Sequence, residues 1–351
     1  MKTTLMVLLT VLLTALNNNM FEPQEPAIVY YSPKTTIVLD FTYTEEVQEV
    51  GQYALFAEQM LGVKDIVAEN KTSYRLDNVS IGTRTTVDLS RAHKITPEQG
   101  VQTQLLSINE KGLLVGYNVP PQERRQHKNS GKECASPRSL SSNTVAYPEE
   151  AVEAKSLAAQ AQAIAKQIFR LRESRVYILS GEVEKAPADG EAMKRVLHEL
   201  DKQEQQLVAL FVGKKTTRTL HKKVEYCPAG DELEKQDEQL FFSEENGFTD
   251  AENIDAEEIS IHIDYQHQLW QAQTDGKKSK KKDVQPSQIV YNLPGFADVD
   301  IEYKGESLNN RTLPVAQFGI DMPLSQDLFK GEKLPSIIFS EKTGNIVSIS
   351  K

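Results

Sequence analysis

The sequence predicts an α+β protein, mostly antiparallel β in two units, with a long antiparallel helical hairpin inserted between them. Three observations lead there. Apolar residues alternate at period two from Ile37 to Tyr43. Leu157, Ala161, Ile164, Ile168 and Leu171 follow one another at spacings of four and three, the mark of one helix face. Two short runs rich in polar residues and glycine, Asn109 to Gly112 and Lys342 to Asn345, separate strand-like pairs as hairpin turns do.

The chain opens with Lys2 and an apolar run of twelve residues, Leu5 to Leu16. A helix crossing a bilayer needs about 20 apolar residues. A shorter run behind one positive charge fits a signal peptide over residues 1–20. The bland alternative is a buried N-terminal helix, but Asn17, Asn18 and Asn19 turn the chain polar at once. No A-x-A triplet marks a cleavage site, and no cysteine follows for a lipid anchor. The mature chain is therefore expected in the periplasm or at the cell surface, without a transmembrane segment.

A first β-rich domain is expected over residues 27–119. Ile37, Leu39, Phe41 and Tyr43 share one strand face, with Val38, Asp40, Thr42 and Thr44 opposite. Tyr53, Phe56, Ala57, Met60 and Leu61 make one short amphipathic helix that Gly62 ends. Alternation resumes over residues 72–95, and Leu105 to Ile108 pairs with Leu113 to Tyr117. Residues 120–147 hold Pro120, Pro121, four basic residues in a short run (Arg124, Arg125, His127 and Lys128) and Ser/Asn repeats, the composition of a flexible linker.

Residues 148–213 carry the helical hairpin. Its second arm starts near Asp189, a good N-cap residue, and presents Met193, Leu197, Leu200, Leu207 and Phe211, interrupted by Glu204. The tip, with Glu182, Glu184 and Asp189, is a candidate docking surface. A second β-rich domain is expected over residues 214–351. Its strands are Thr216 to Tyr226, Leu240 to Phe242, Ile259 to Trp270, Ile289 to Tyr291, Ile337 to Phe339 and Ile346 to Ile349. Residues 230–239 read as an acidic loop, and the lysines within 277–282 as a solvated one.

Cys134 and Cys227 are the only cysteines. In an oxidising compartment they could form a disulfide. It would close a loop of roughly 90 residues, worth about 4–5 kcal/mol on a chain-entropy basis. Two free thiols are the alternative.

Motifs for catalysis and metal binding are incomplete. His198-Glu199 begins an H-E-x-x-H zinc site, but Lys202 stands at the second ligand position. His262 and His267 are spaced oddly, which puts them on opposite faces of one strand. Gly213-Lys214-Lys215-Thr216 imitates the end of a phosphate loop, yet Val208 replaces its first glycine and the order is helix then strand. No G-x-S-x-G occurs. Asp298 and Asp300 share a strand face, and Asp250, Asp255, Glu257 and Glu258 precede them. Such carboxylates usually form a solvated face, though a pair between β units is what a glycosidase needs. Net charge is −10, which repels phosphate backbones and sets nucleic acid aside as a partner. No cofactor or metal is expected. The leading expectation is a non-catalytic envelope protein that binds a protein or glycan partner. An extracytoplasmic hydrolase using paired carboxylates is the alternative.

Several patterns together carry a family resemblance. They are Val29-Tyr30-Tyr31-Ser32-Pro33-Lys34-Thr35, Gly51-x-Tyr53-Ala54-x-Phe56-Ala57-Glu58 through Leu61-Gly62, and Arg170-Leu171-Arg172-Glu173 through Leu179-Ser180-Gly181-Glu182. Ala188-Asp189-Gly190, Leu210-Phe211-Val212-Gly213, Pro314-Val315-Ala316-Gln317-Phe318-Gly319 and Phe339-Ser340-x-x-Thr343-Gly344 follow in order. Over most of residues 28–350 the chain resembles domain of unknown function 4831, a family of exported proteins from Gram-negative gut anaerobes. The resemblance implies secretion and a shared fold, and it carries over no activity and no catalytic residue.

Overall fold

The computed structural model describes residues 27–96, 101–119, 147–181, 190–228, 235–267, 286–330 and 333–350. It is mostly antiparallel β with some helix, in three sheets. The first sheet has the order β2-β1-β5, from β1 (Ile28–Glu49), β2 (Lys71–Ile95) and β5 (Lys214–Tyr226). The second has the order β10-β9-β8-β6-β7. Its strands are β6 (Lys235–Ser243), β7 (Gly247–Thr249), β8 (Glu257–Gln266), β9 (Pro286–Tyr303) and β10 (Glu306–Ser325). The third, β12-β11-β4-β3, joins β3 (Leu106–Ile108), β4 (Leu114–Tyr117), β11 (Ser336–Phe339) and β12 (Ile346–Ser350).

The first two sheets bury their apolar faces against each other. Ile37, Leu39 and Phe41 of β1, with Val79 and Ile81 of β2, meet Ile259, Ile261 and Ile263 of β8 and Val299 and Ile301 of β9. Each such side chain contributes about 1.5–3 kcal/mol by leaving water. Tyr43, expected in line with them, is only half-buried. The third sheet forms another core. It packs Leu114, Tyr117, Ile337 and Phe339 on Tyr30, Ile95, Ile289 and Leu324, which lie near the ends of the four long strands. Strands β1, β2, β9 and β10 therefore run through both cores.

Two boundaries differ from the sequence expectation. Strand β5 pairs with β1, and β11 pairs with β4. The stretches 27–119 and 214–351 thus share sheets instead of making separate β units, because backbone pairing joins strands across the helical segment. Residues 235–239 belong to β6 and not to an acidic loop. They pair with 260–264 of β8 along an antiparallel ladder, and Asp237 is met by His262 at 2.7 Å. Strand β10 had no counterpart in the reading of the sequence.

The helices are α1 (Ala57–Leu61), α2 (Glu149–Glu153), α3 (Leu157–Ser180) and α4 (Gly190–Val212). The Ala159 N–H donates to Ser156 Oγ at 3.2 Å, and Gly181 closes α3 in the left-handed conformation. Ala161, Ile164, Ile168 and Leu171 of α3 are buried with Leu207 and Phe211 of α4, against Tyr53 and Ala57. Leu197 and Leu200 are half-buried, and Leu157 is 44 % exposed. Contacts explain the last. Arg172 meets Glu204 and Arg175 meets Asp201, so each step up α3 is a step down α4. In that register Leu157 lies past Val212, where α4 has ended. Glu204 interrupts the apolar face because it accepts from both Arg172 Nε, at 2.7 Å, and Arg175 Nη2, at 2.8 Å.

The end of α4 is fixed to the end of β1. The Tyr53 N–H donates to Leu210 O at 2.7 Å, and the Val67 N–H to Val212 O at 2.8 Å. Gly213 turns the chain there at φ +86°, and a Cβ on it would stand 2.5 Å from Glu49 O. Among the described residues, no helix is long and apolar enough to cross a membrane.

Candidate functional site

Where the two β cores join, both long hairpins bulge. In β2 the register jumps between Tyr31 with Ala92 and Ser32 with Asp88, which leaves Leu89, Ser90 and Arg91 unmatched. In β10 it jumps between Val315 with Gly295 and Ile320 with Leu293, which leaves Ala316 to Gly319 opposite Pro294. Proline has no N–H to give a ladder, so Pro294 favours such a break. Bulges re-aim side chains, and here they aim polar groups at one place.

Arg91 Nε donates to Asp321 Oδ2 at 3.1 Å, and its Nη2 closes a second contact to Asp321 Oδ1. Arg91 Nη1 donates to Ala316 O at 3.2 Å. Asn292, 2 % exposed, donates from Nδ2 to Ala316 O and to Thr343 O, both at 2.8 Å. Its backbone N–H donates to Gly344 O at 3.0 Å. Thr35 is clasped by Gln317, whose Oε1 accepts from Thr35 N–H at 2.9 Å and whose Nε2 donates to Thr35 O at 2.8 Å. Buried backbone and amide groups freed by the bulges are thereby satisfied. A Cβ on Gly319 would stand 2.3 Å from Asn292 Oδ1 and from Leu293 O, so only glycine lets these segments approach.

Ser32 Oγ lies 2.8 Å from His93 Nε2, and Asp321 Oδ2 lies 3.7 Å from the same nitrogen. These residue types suggest a hydrolytic triad, which requires serine and acid on opposite ring nitrogens. Here both address Nε2, and Arg91 already neutralises Asp321. Ser32 is 5 % exposed. The cavity beside it, lined by Tyr30, Ser32, Asn292 and Phe339 among others, measures about 20 Å³. A site of that size holds about one water. The arrangement works as a polar clasp with no room for a substrate. Burial pushes the His93 imidazole below its ordinary value, Asp321 draws it part of the way back, and Arg91 adds to the lowering. Burial likewise raises the Tyr30 phenol, which donates to Val290 O at 3.0 Å.

The residues singled out from the sequence are not gathered there. Cys227 is exposed, and Cys134 lies outside the described residues, as do Glu182, Glu184 and Asp189. His198 and Glu199 are exposed on α4. His262 meets Asp237, which raises its imidazole above the ordinary value, whereas His267 lies against the Phe318 ring at 4.4 Å. Asp298 accepts from Gln266 Nε2 and Thr312 Oγ1, each at 2.6 Å, and Asp300 from Ser307 Oγ at 2.8 Å. No group of three or more His, Cys, Asp or Glu among the described residues is placed to hold a metal. Arg91, His93, Asn292 and Asp321 were missed because nothing local marks them. The one signal that pointed to the clasp was the set of family motifs containing Ser32 and Thr35, Ala316 and Gln317, and Thr343 and Gly344.

No curated protein and no solved structure matches the chain. The family model for Domain of unknown function (DUF4831) matches residues 26–347. Its span takes in the clasp and the anchored helices alike, and the chain belongs to that family.

Proposed function

We propose that this protein is a non-catalytic exported envelope protein, periplasmic or at the cell surface. It binds a protein or glycan partner through a long antiparallel helical hairpin made by α3 and α4 and inserted in the β framework. The observation that carries this reading is the apolar surface beyond the Arg175 contacts. Val176, Tyr177 and Leu179 of α3 and Val196 of α4 remain between 38 % and 66 % exposed. Val176 and Leu179, three residues apart, share one helix face, and exposed apolar side chains so grouped mark contact surfaces. The hairpin's root is fixed to the sandwich by Tyr53, Phe211 and Val212, so its far end can be held out without loosening the cores. Glu182, Glu184 and Asp189, which the sequence offers as a docking tip, lie outside the described residues.

The clasp supports a non-catalytic role, because the Ser32, His93 and Asp321 set is closed to substrate and spent on structure. Export rests on Lys2 and the Leu5 to Leu16 run, read as a signal peptide over residues 1–20. A photo-crosslinking amino acid at position 179, installed in the producing cells, tests the docking surface. One defined adduct by mass spectrometry is expected from position 179 and none from Ile254, which is 98 % exposed on a loop. Adducts of equal yield from both positions would overturn the reading.

A further inference from the structure

The chain is acidic overall, at −10, yet β5 carries Lys214, Lys215, Arg218, Lys222 and Lys223 against the single acid Glu225. Strand β5 is an edge, with β1 its one neighbour among the described strands. Arg218 is taken up by Glu45, and Lys223 stands 3.8 Å from Asp40. Lys214, Lys215 and Lys222 have no carboxylate partner among the described residues. The opposite edge of the same sheet is treated differently. Asn309 Nδ2 donates to Val79 O at 2.7 Å, and Arg311 Nη1 to Ile81 O at 2.8 Å, so side chains of β10 cap the edge of β2. One edge is capped at two carbonyls, whereas among the described residues no strand pairs with the outer edge of β5, a template for a further strand.

A groove opens where β5 begins. It measures about 470 Å³ and runs between Arg172 and Arg175, the last turns of α4 at Val208 and Val212, and Lys214 and Lys215. Its carboxylates, Asp201 and Glu204, are already paired with the arginines, which leaves an apolar floor with Lys214, whose cross-strand neighbour is Glu49, and Lys215 at its mouth.

We propose that the free edge of β5 and this groove together dock an extended acidic peptide segment of a partner protein. The segment pairs its backbone with β5, sets carboxylates against Lys214 and Lys222, which share one strand face, and seats an apolar side chain on Val208 and Val212. A second copy of this chain is the wrong occupant, because β5 laid on β5 opposes lysine to lysine, and like charges across a strand pair are destabilising. The inference rests on the reading that the protein works by binding a partner, and it adds the chemistry of that partner.

The test uses the full mature chain and a short fluorescein-labelled peptide alternating glutamate and valine. Saturable binding by anisotropy is expected, weakening as salt rises. The double variant Lys214→Glu, Lys222→Glu should lower affinity by about tenfold or more with an unchanged melting temperature. The same peptide N-methylated at alternate amides, in the register that faces β5, should lose binding, since edge pairing needs those N–H groups. Equal binding by a peptide alternating lysine and valine, indifference to N-methylation, or binding to anionic phosphatidylglycerol vesicles but not to the peptide would overturn the proposal. If the peptide fails while the position-179 adduct persists in cells, this inference falls and the partner-binding reading stands.

Discussion

Arg91 and Asp321 lie 230 residues apart in the chain and meet through a two-point ion pair at the level where both long hairpins bulge. Their side chains are 21 % and 28 % exposed, so the pair is partly desolvated. It ties β2 to β10, and through Asn292 it ties both to the turn at Thr343 and Gly344. The two β cores are held together at this point by polar bonds, whereas each is held internally by apolar packing.

Removing one partner leaves the other charge half-buried and unpaired. Arg91→Met or Asp321→Asn alone should each cost roughly 2–4 kcal/mol, between the ranges for exposed and fully buried pairs. Arg91→Met combined with Asp321→Asn should cost less than the sum of the separate losses. Urea unfolding of the four proteins gives the coupling. Strict additivity would mean that the two residues act independently.

The clasp should also make stability pH-dependent. His93 has a folded value below its unfolded one, so the unfolded chain takes up the proton first as pH falls. Stability contributed by neutral His93 is full above about 6.5, the ordinary histidine value, and declines below it towards the folded value. His262 has the opposite sign. Its raised value gives stability below the unfolded value that is lost as pH rises through the folded one. That side chain is 49 % exposed, so the solvent screens its share. The native urea midpoint should therefore drop between about pH 7.5 and 5.5, and His93→Gln should flatten the drop.

Gly319 should tolerate no side chain. A Cβ would press on Asn292 Oδ1 and Leu293 O, both part of the clasp. Gly319→Ala is expected to cost about 1–3 kcal/mol, as overpacking does. Thermal melting reads it, and Gly181→Ala offers a contrast, since its Cβ would meet nothing within 4 Å and only its φ of +76° is strained.

What was legible in the sequence is what repeats locally. The alternation from Ile37 to Phe41, the face from Ala161 to Leu171 and the Asn109 turn all arise from neighbours a few residues apart. In the turn, Asn109 Oδ1 accepts from the N–H groups of Lys111 and Leu113, both at 3.0 Å. Strand β10 was hidden because Asn309, Asn310, Pro314 and Gly319 break its pattern, and two of those four, Asn309 and Gly319, serve the edge cap and the bulge. Residues 235–239 passed for a loop because a strand facing water on one side need not be apolar. The clasp could not be assembled from spacing, since its members join only when β2, β9, β10 and the last turn are folded together. Leu157 kept the helical period and still lacks a partner, because period says nothing of where the opposing helix stops.

Leu171 and Leu179 sit on one helix and should behave differently. Leu171 is 7 % exposed and Leu179 66 %. Leu171→Ala should cost about 2–5 kcal/mol, the range for a buried leucine. Leu179→Ala should stay within about 0.5 kcal/mol, as surface changes do. Melting curves of the two single variants decide it.

The proposed docking role of α3 and α4 is tested most directly by the amount of partner recovered with the double variant Val176→Asp, Leu179→Asp, expressed in the native cells and compared with the unaltered chain after crosslinking. Both positions are exposed, so the melting temperature should not change while recovery of the adduct from a photo-crosslinking amino acid placed at position 196, in both chains, falls to background. Full recovery with the fold intact would contradict the claim and reduce α3 and α4 to a brace for the β framework.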